Sequence, residues 1–472
     1  MSRIFGLLFA NITLALALSP SALAKPNIVL IYIDDYGWRD VGFNGSKFYE
    51  TPNADRIARE GMVFRSAYSN GPNCAPSRAC LMSGLYSPRH GIYTVANSDR
   101  GRASLRKIIP TKNTTVLANE FVTMAEALKR GGYATATMGK WHLGKDPTTQ
   151  GFDVNIAGRE WGSPSGGGYH SPYNYPNLVN NQKGEYLTDR LGTEAAKFIE
   201  EHKEKPFFLY LTHYAVHTPI QAKPELTAKY QKKPKVDEQT NAKYAAMIES
   251  MDDSVGTVLD TLDRLKLADN TIVIFYADNG GHAGATSNAP LRGSKGMLYE
   301  GGIRVPMAIR WPGVAKSGSV CEEPVIGIDL YPTLLEATKT KRPAKSKLDG
   351  TSLVPLLKDA QTRLFRPALY WHFPAYLQGS SRRHGPFRTT PAGAVRMGNW
   401  KLIEYFDDGT LELYNLADDI GETGNLAKQK PKKTAQLHAM LKAWRRTTDA
   451  PVPTETNPQF DPEAWRKATE RR

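Results

Sequence analysis

Four short apolar runs between residues 27 and 276 have the pattern of strands that are buried on both faces of a sheet. Each run is continuous and rich in β-branched or aromatic residues, and lacks the polar–apolar alternation of a half-exposed strand. We therefore predict parallel strands at 27–33, 133–138, 207–212 and 271–276.

Helical patterns separate these runs. The longest covers 241–265, where apolar residues recur every three or four positions and form a single stripe. Shorter helices are predicted at 124–130 and 187–202. Strands that alternate with helices predict an α/β fold with a large, doubly wound mixed sheet flanked by helices.

The pattern changes after about residue 360, where short strands follow one another without intervening helices. Asp408-Gly409 has the composition of a hairpin turn between two of them. We predict strands at 367–373, 394–397, 401–406 and 410–414, then a helix at 435–446. These elements predict a catalytic α/β domain over 25–362 and a smaller C-terminal α+β subdomain with an antiparallel sheet over 363–472. The Lys- and Pro-rich segment 223–238 is predicted to be a loop.

Residues 1–24 have the features of a signal peptide. Arg3 precedes an interrupted apolar stretch, and Ala22-Leu23-Ala24 provides a small-x-small cleavage site. Pro20 breaks the apolar stretch, which is too short for a membrane anchor. We expect an exported protein, periplasmic or secreted, with no membrane span.

Composition and charge narrow the function classes. With 40% hydrophobic and 23% charged residues, the chain is neither a disordered polymer nor a multi-span membrane protein. Its 61 Lys and Arg against 47 Asp and Glu give a net charge of +14, which suits an anionic partner. Three cysteines are too few for a disulfide framework.

Polar residues follow each of the four predicted parallel strands. Asp34 and Asp35 follow the first, Lys140 and His142 the second, His213 and His217 the third, and Asp278 and Asn279 the fourth. Because ligands bind at the carboxyl ends of the strands in such sheets, we expect these side chains to form one site. His213 is either a substrate contact or a polar residue that ends its strand.

The acids and the amide of this set predict a metal centre. Asp34, Asp35, Asp278 and Asn279 offer the oxygen ligands that Ca²⁺ or Mg²⁺ prefers, without the thiol and imidazole ligands of a zinc site. Lys140, His142, His217 and Lys295 would recognise a tetrahedral anion and move protons.

The segment from Cys74 to Gly84 carries the most specific motif. Cys74-Ala-Pro-Ser-Arg78, followed after two residues by Leu-Met-Ser-Gly, resembles the signature of the type I sulfatases. Further segments resemble blocks of that family in the same order: Asp34-Asp35, Gly139 to Gly144, His217-x-Pro219, Asp278-Asn279-Gly280 and Lys295 to Gly302.

This resemblance implies a mechanism and a set of roles. The motif cysteine, Cys74, would be oxidised by a maturase to Cα-formylglycine, whose hydrate is the nucleophile. Asp34, Asp35, Asp278, Asn279 and modified Cys74 would hold a divalent cation, usually calcium, and Arg78 would orient the hydrate. The resemblance assigns sulfate contacts to Lys140, His217 and Lys295, a base to His142, and the leaving-group acid to either His217 or Lys295.

The resemblance and the basic charge together predict a carbohydrate sulfatase acting on an algal polysaccharide or a glycosaminoglycan. Arg382, Arg383 and Arg388 form a basic segment that would border the glycan, or would simply be an exposed loop. No nucleic-acid partner is predicted. Two other functions stay open: a phosphoester or phosphonate hydrolase that uses formylglycine, and a catalytically silent glycan-binding protein if Cys74 is unmodified.

Overall fold

The computed structural model describes residues 25–179, 182–344, 346–381 and 385–470. The predicted signal peptide, residues 1–24, and the predicted substrate-binding residues Arg382 and Arg383 lie outside these ranges. The strands are β1 (Asn27–Ile33), β2 (Met62–Phe64), β3 (Ala67–Tyr68), β4 (Ala134–Gly139), β5 (Val154–Ile156), β6 (Phe207–Thr212), β7 (Thr271–Ala277), β8 (Met307–Arg310), β9 (Ser319–Cys321), β10 (Val325–Ile326), β11 (Leu369–Phe373), β12 (Leu377–Ser381), β13 (Gly385–Thr389), β14 (Ala392–Met397), β15 (Trp400–Tyr405) and β16 (Leu411–Asn415).

The α-helices are α1 (Pro52–Glu60), α2 (Cys74–Ser83), α3 (Met124–Arg130), α4 (Leu187–Glu201), α5 (Pro224–Lys232), α6 (Ala242–Arg264), α7 (Glu300–Ile303), α8 (Leu330–Ala337), α9 (Val354–Lys358), α10 (Pro431–Thr448) and α11 (Pro462–Glu470). Helix α6 begins where the side chain of Asn241 accepts a hydrogen bond from the Tyr244 amide, so the cap and the apolar stripe together define it.

The central sheet has eight strands in the order β5-β4-β6-β1-β7-β8-β2-β9. Strands β5, β4, β6, β1 and β7 are parallel, and β8 is antiparallel to β7 and β2. All seven residues of β1 are buried between β6 and β7, which explains their unbroken apolar pattern. The parallel strands therefore end at one edge, and the predicted α/β fold with a mixed sheet is confirmed.

Helices cover this sheet in two groups. Helices α1, α4 and α5 each contact α6, and α2, α3 and α8 form a second group in contact. The predicted loop at 223–238 was wrong in its first half, because 224–232 forms helix α5. Pro224 occupies the first turn, where a missing N–H costs nothing, and Tyr230 is buried, so one buried ring anchors a largely polar helix.

The C-terminal residues form a second, antiparallel sheet in the order β11-β14-β15-β16, as predicted. Helix α10 packs on β14 and β15, and Asp408-Gly409 connects β15 to β16 with Gly409 at φ +70°. Buried charges join this sheet to the first, since Lys401 Nζ lies 2.9 Å from an oxygen of Glu300 and 2.9 Å from an oxygen of Glu422. Within the described residues, no helix has the length and apolar character needed to cross a bilayer.

Candidate active site

Four strand ends and one helix start bring polar side chains together at one edge of the central sheet. Asp34 and Asp35 directly follow β1, and Asp278 and Asn279 directly follow β7. All four side chains are buried. The Asp35 backbone is in the left-handed region, at φ +59°, and its amide donates to Asp278 Oδ1 at 3.1 Å. This turn fixes the two acidic segments to each other.

Each of the three acids faces a cation. Lys140 Nζ lies 2.5 Å from Asp34 Oδ2, and Lys295 Nζ lies 2.6 Å from Asp35 Oδ1. The Arg78 guanidinium donates to Asp278 Oδ2 at 2.8 Å and to the Lys140 carbonyl at 2.8 Å. Three negative and three positive charges thus share one buried volume, and pairing of this kind is what makes their burial tolerable.

Cys74 is the first residue of α2, which places it at the helix end where backbone N–H groups are free. Its Sγ and ligand atoms of Asp34, Asp35 and His217 all lie within 4.8 Å of one another. Burial raises the pKa of the Cys74 thiol to about 12. The structure therefore brings the motif cysteine to the acidic cluster that the strand ends form.

Two oxygens of this cluster fit a hard cation. Asp34 Oδ1 and Asn279 Oδ1 are buried and, in the part of the chain the structure describes, have no hydrogen-bond partner. A buried oxygen without a donor is costly unless an ion or water satisfies it. Asp278 differs, because its two oxygens accept from the Asp35 amide and from Arg78. Burial and the nearby Asp34 raise the pKa of Asp278 to about 7.

His142 and His217 both lie near the cluster. Burial and the neighbouring Lys140 keep the pKa of His142 well below its usual value. His217 Nδ1 lies 2.6 Å from the Thr218 carbonyl oxygen, to which it donates, so Nε2 is the nitrogen that faces Asp35 Oδ2 at 3.7 Å. Burial and the charge on Lys295 lower the pKa of His217 to about 3.

His213 and Arg388 lie outside the cluster of acidic residues around Cys74. His213 is fully buried and its Nε2 lies 3.1 Å from Ser254 Oγ on α6, which supports the interpretation that it is a polar residue at a strand end. Arg388 is half-buried on β13 and its Nη1 donates to the Lys295 carbonyl at 3.2 Å. It therefore lies beside the cluster, against the segment that carries Lys295.

Two residues of the site were missed by sequence reasoning. A Cβ at Gly162 would lie 2.6 Å from His142 Cε1, so this glycine leaves room for the imidazole. Arg100 is half-buried, and burial together with the positive charge of the nearby Arg388 lowers its pKa. Neither residue belongs to a motif or follows a predicted strand, so no local signal could have identified them.

Comparison with known proteins identifies the family of this chain. Residues 26–340 match the family model described as Sulfatase, and residues 294–447 match the model of the C-terminal part of N-sulphoglucosamine sulphohydrolase. A sulfatase of Formosa agariphila is 34% identical over 95% of this chain and 94% of its own length. Human N-acetylgalactosamine-6-sulfatase is 33% identical over 76% of this chain and 70% of its own length.

A solved structure extends the likeness to the whole fold. The crystal structure of Ps i-CgsB in complex with k-i-k-neocarrahexaose superposes with a TM-score of 0.76 at 29% identity, covering 95% of this chain and 98% of that chain. The family match covers well over half of the chain, and it includes the strand ends and the helix start that form the candidate site. This chain belongs to the sulfatase family of enzymes.

Proposed function

We propose that this enzyme removes sulfate esters from a sulfated oligo- or polysaccharide, with Cα-formylglycine derived from Cys74 as its nucleophile. The observation that carries the proposal is the position of Cys74, at the start of α2 and within 4.8 Å of the acidic and imidazole ligand atoms. Two similar proteins support a carbohydrate substrate: an N-acetylgalactosamine-6-sulfatase and a structure bound to neocarrahexaose.

Formylglycine supplies a hydrated aldehyde, one of whose hydroxyls can attack sulfur while the other later loses its proton to expel sulfate. The residues around Cys74 determine where this chemistry takes place. Arg78 is held by Asp278 and by the Lys140 carbonyl, so it orients groups at the start of α2 without moving itself. We assign the base to His142, because its buried Nδ1 has no hydrogen-bond partner among the described residues and is available to take up a proton.

The proposed ligands of Ca²⁺ are Asp34, Asp35, Asp278, Asn279 and modified Cys74. Mg²⁺, which also prefers oxygen ligands, is the proposed alternative ion. The two buried oxygens without donors, on Asp34 and Asn279, support this assignment. Bound there, a divalent cation would stabilise negative charge on the transferring group. The charges of the three buried ion pairs cancel, so a bound cation would give the site a net positive charge. A positive site suits an anionic ester.

Lys140, Lys295 and His217 are the proposed contacts of the sulfate. Lys140 and Lys295 present ammonium groups beside Cys74, and burial does not discharge Lys295, because Asp35 raises its pKa far above that of an ordinary lysine. We assign the leaving-group acid to His217. Its Nδ1 is committed to the Thr218 carbonyl, while Lys295 is bonded to both oxygens of Asp35. A bound sulfate would favour the protonated imidazole.

The proposed location is outside the cytoplasm, where sulfated polysaccharides are met and where the pattern of residues 1–24 would direct the chain. The function is tested by incubating mature enzyme with a panel of sulfated galactans and glycosaminoglycan fragments, and measuring released sulfate by ion chromatography. 4-Nitrophenyl sulfate and 4-nitrophenyl phosphate serve as the comparison pair. We expect at least one glycan to exceed the aryl sulfate in kcat/KM. Faster cleavage of the phosphate than of every sulfate would contradict the proposal.

A further inference from the structure

Among the residues that the structure describes, two arginines beside the candidate site have no acidic partner. Arg100 and Arg388 are both half-buried, and their polar contacts in the described chain are with neutral oxygens. Arg100 donates to the Gln378 side chain at 2.7 Å and to the Val95 carbonyl at 3.3 Å. Elsewhere in the site every cation faces a carboxylate, so these two guanidinium groups differ from Arg78, Lys140 and Lys295.

Arg388 is packed directly against the segment that carries Lys295. Its Nη1 donates to the Lys295 carbonyl at 3.2 Å. A Cβ added at Gly296 would lie 2.7 Å from Arg388 Cδ and 2.3 Å from a methyl group of Leu377, so the glycine allows the β12–β13 hairpin to approach this closely. The position of Arg388 is therefore coupled to that of a proposed sulfate contact.

Arg100 contacts the same hairpin from a segment that is distant in the sequence. Its acceptor, Gln378, pairs with Phe387 across β12 and β13. The Tyr376 amide also donates to the Ser98 carbonyl at 2.8 Å, which ties the segment before Arg100 to the start of this hairpin. The hairpin thus holds both arginines against the edge of the site.

The electrostatics agree with this placement. Burial and the charge on Arg388 lower the pKa of Arg100. Burial lowers the pKa of Arg388, and Asp35 opposes this effect. The two guanidinium groups therefore repel each other next to the reacting residues, and an anion between or beside them would relieve that repulsion.

On the basis of the proposed function, we propose that Arg100 and Arg388 form a subsite for a second anionic group of the substrate, a sulfate or a carboxylate near the scissile ester. Arginine binds both groups through paired N–H donors, so the shared chemistry is that of a planar or tetrahedral oxyanion. The consequence is specificity: the enzyme selects sugars that carry a second negative charge next to the sulfate it removes.

The test compares three disaccharides that share one scissile sulfate ester. The first has no other charge, the second carries an additional sulfate on the neighbouring ring, and the third a carboxylate there. Binding is measured calorimetrically on the Cys74→Ala chain, which cannot turn over, and kcat/KM is measured on the mature enzyme. Since hydrogen bonds to charged groups contribute roughly a factor of ten or more in affinity, we expect one doubly charged disaccharide to bind about tenfold more tightly than the singly charged one.

Arg100→Gln and Arg388→Gln should each reduce that preference toward unity, and Arg388→Lys should keep part of it. Arg446→Gln, at an exposed position of α10, changes the net charge equally and should leave the preference intact. Comparison of the sulfate and carboxylate arms identifies the anion. Equal binding of all three disaccharides, or a preference that survives both arginine variants, would overturn the subsite. Sulfate release from no glycan of the panel by aldehyde-bearing enzyme would instead overturn the carbohydrate function itself.

Discussion

At the scale of single residues, the two ring nitrogens of His217, the proposed leaving-group acid, have different surroundings. The Thr218 carbonyl occupies Nδ1, so a proton on Nε2 is the one that can reach a departing oxygen near Asp35. Because a sugar alkoxide is a much poorer leaving group than a nitrophenolate, an acid at this position matters mainly for sugar esters.

We therefore predict that His217→Ala lowers kcat/KM on a sulfated sugar by about 100-fold or more, and on 4-nitrophenyl sulfate by much less. Lys295→Ala provides the comparison, since loss of a sulfate contact should affect both esters to a similar extent. Equal losses on both esters for His217→Ala, with an unequal loss for Lys295→Ala, would transfer the acid role to Lys295.

The site residues that could be predicted from sequence are those that directly follow a strand or belong to a motif. Asp34, Asp35, Asp278 and Asn279 follow buried apolar runs, and the topology of the sheet brings them together. Arg100 and Gly162 could not be predicted. Arg100 contacts Gln378, which lies far away in the sequence. Gly162 leaves room for His142, with which it shares no motif.

At the scale of elements, α1 depends on a residue of another helix. Asp252, buried on α6, accepts hydrogen bonds from the Asn53 amide at 2.9 Å and the Ala54 amide at 2.8 Å. These amides lie in the first turn of α1, where no intrahelical acceptor exists. One carboxylate thus caps α1 and fixes it to α6.

We expect Asp252→Ala to lower the free energy of unfolding by about 1–3 kcal/mol, because two N–H groups lose their acceptor. Asp253→Ala, an exposed neighbour on the same helix, should change it by less than about 0.5 kcal/mol. Urea unfolding followed by circular dichroism measures both. A loss for Asp252→Ala as small as that for Asp253→Ala would show that the cap does not hold α1.

Periodicity predicted the long elements and failed for a short amphipathic one. Helix α6 and strand β1 have patterns that only one secondary structure satisfies, and their observed limits differ from the predicted ones by at most one residue. Helix α5 has one buried residue, Tyr230, among lysines, so its sequence resembles that of a solvated loop. Its stability comes from contact with α6, which the local sequence does not encode.

At the scale of the whole molecule, a buried charge cluster connects the two sheets. Glu300 of α7 and Glu422 share Lys401 of β15, and the Glu300 amide donates to Glu422 at 2.7 Å. Burial raises the pKa of Glu422 to about 7, and the negative charge on Glu300 adds to that effect. Burial opposes ionisation of Glu300 too, but Lys401 and Arg304 outweigh it and hold its pKa at about 2.

The raised pKa of Glu422 has a defined consequence for stability. The folded state binds a proton at Glu422 more tightly than the unfolded state, whose carboxyl has a pKa near 4.5. The stabilising contribution is therefore complete below pH 4.5 and is lost as the pH rises through about 7. Other groups titrate in this range, so the effect is read as a difference between wild type and Glu422→Gln.

We predict that, as the pH rises from 4.5 to 8, wild type loses stability relative to Glu422→Gln, and that the difference is constant above pH 8. Denaturant unfolding at five pH values measures it. A difference between the two chains that does not vary with pH would contradict a raised pKa at Glu422.

The central claim, that Cys74 becomes the nucleophile of a carbohydrate sulfatase, is tested most directly by one paired measurement. The chain and its Cys74→Ala variant are each co-expressed with a formylglycine-generating maturase, the peptide containing Cys74 is weighed by mass spectrometry, and sulfate release from the glycan panel is measured on the same samples. We expect the wild-type peptide to have the mass of the aldehyde, with release in proportion to the converted fraction, and folded Cys74→Ala protein to release none. Sulfate release by Cys74→Ala, or by wild-type protein whose Cys74 is entirely a thiol, would contradict the account.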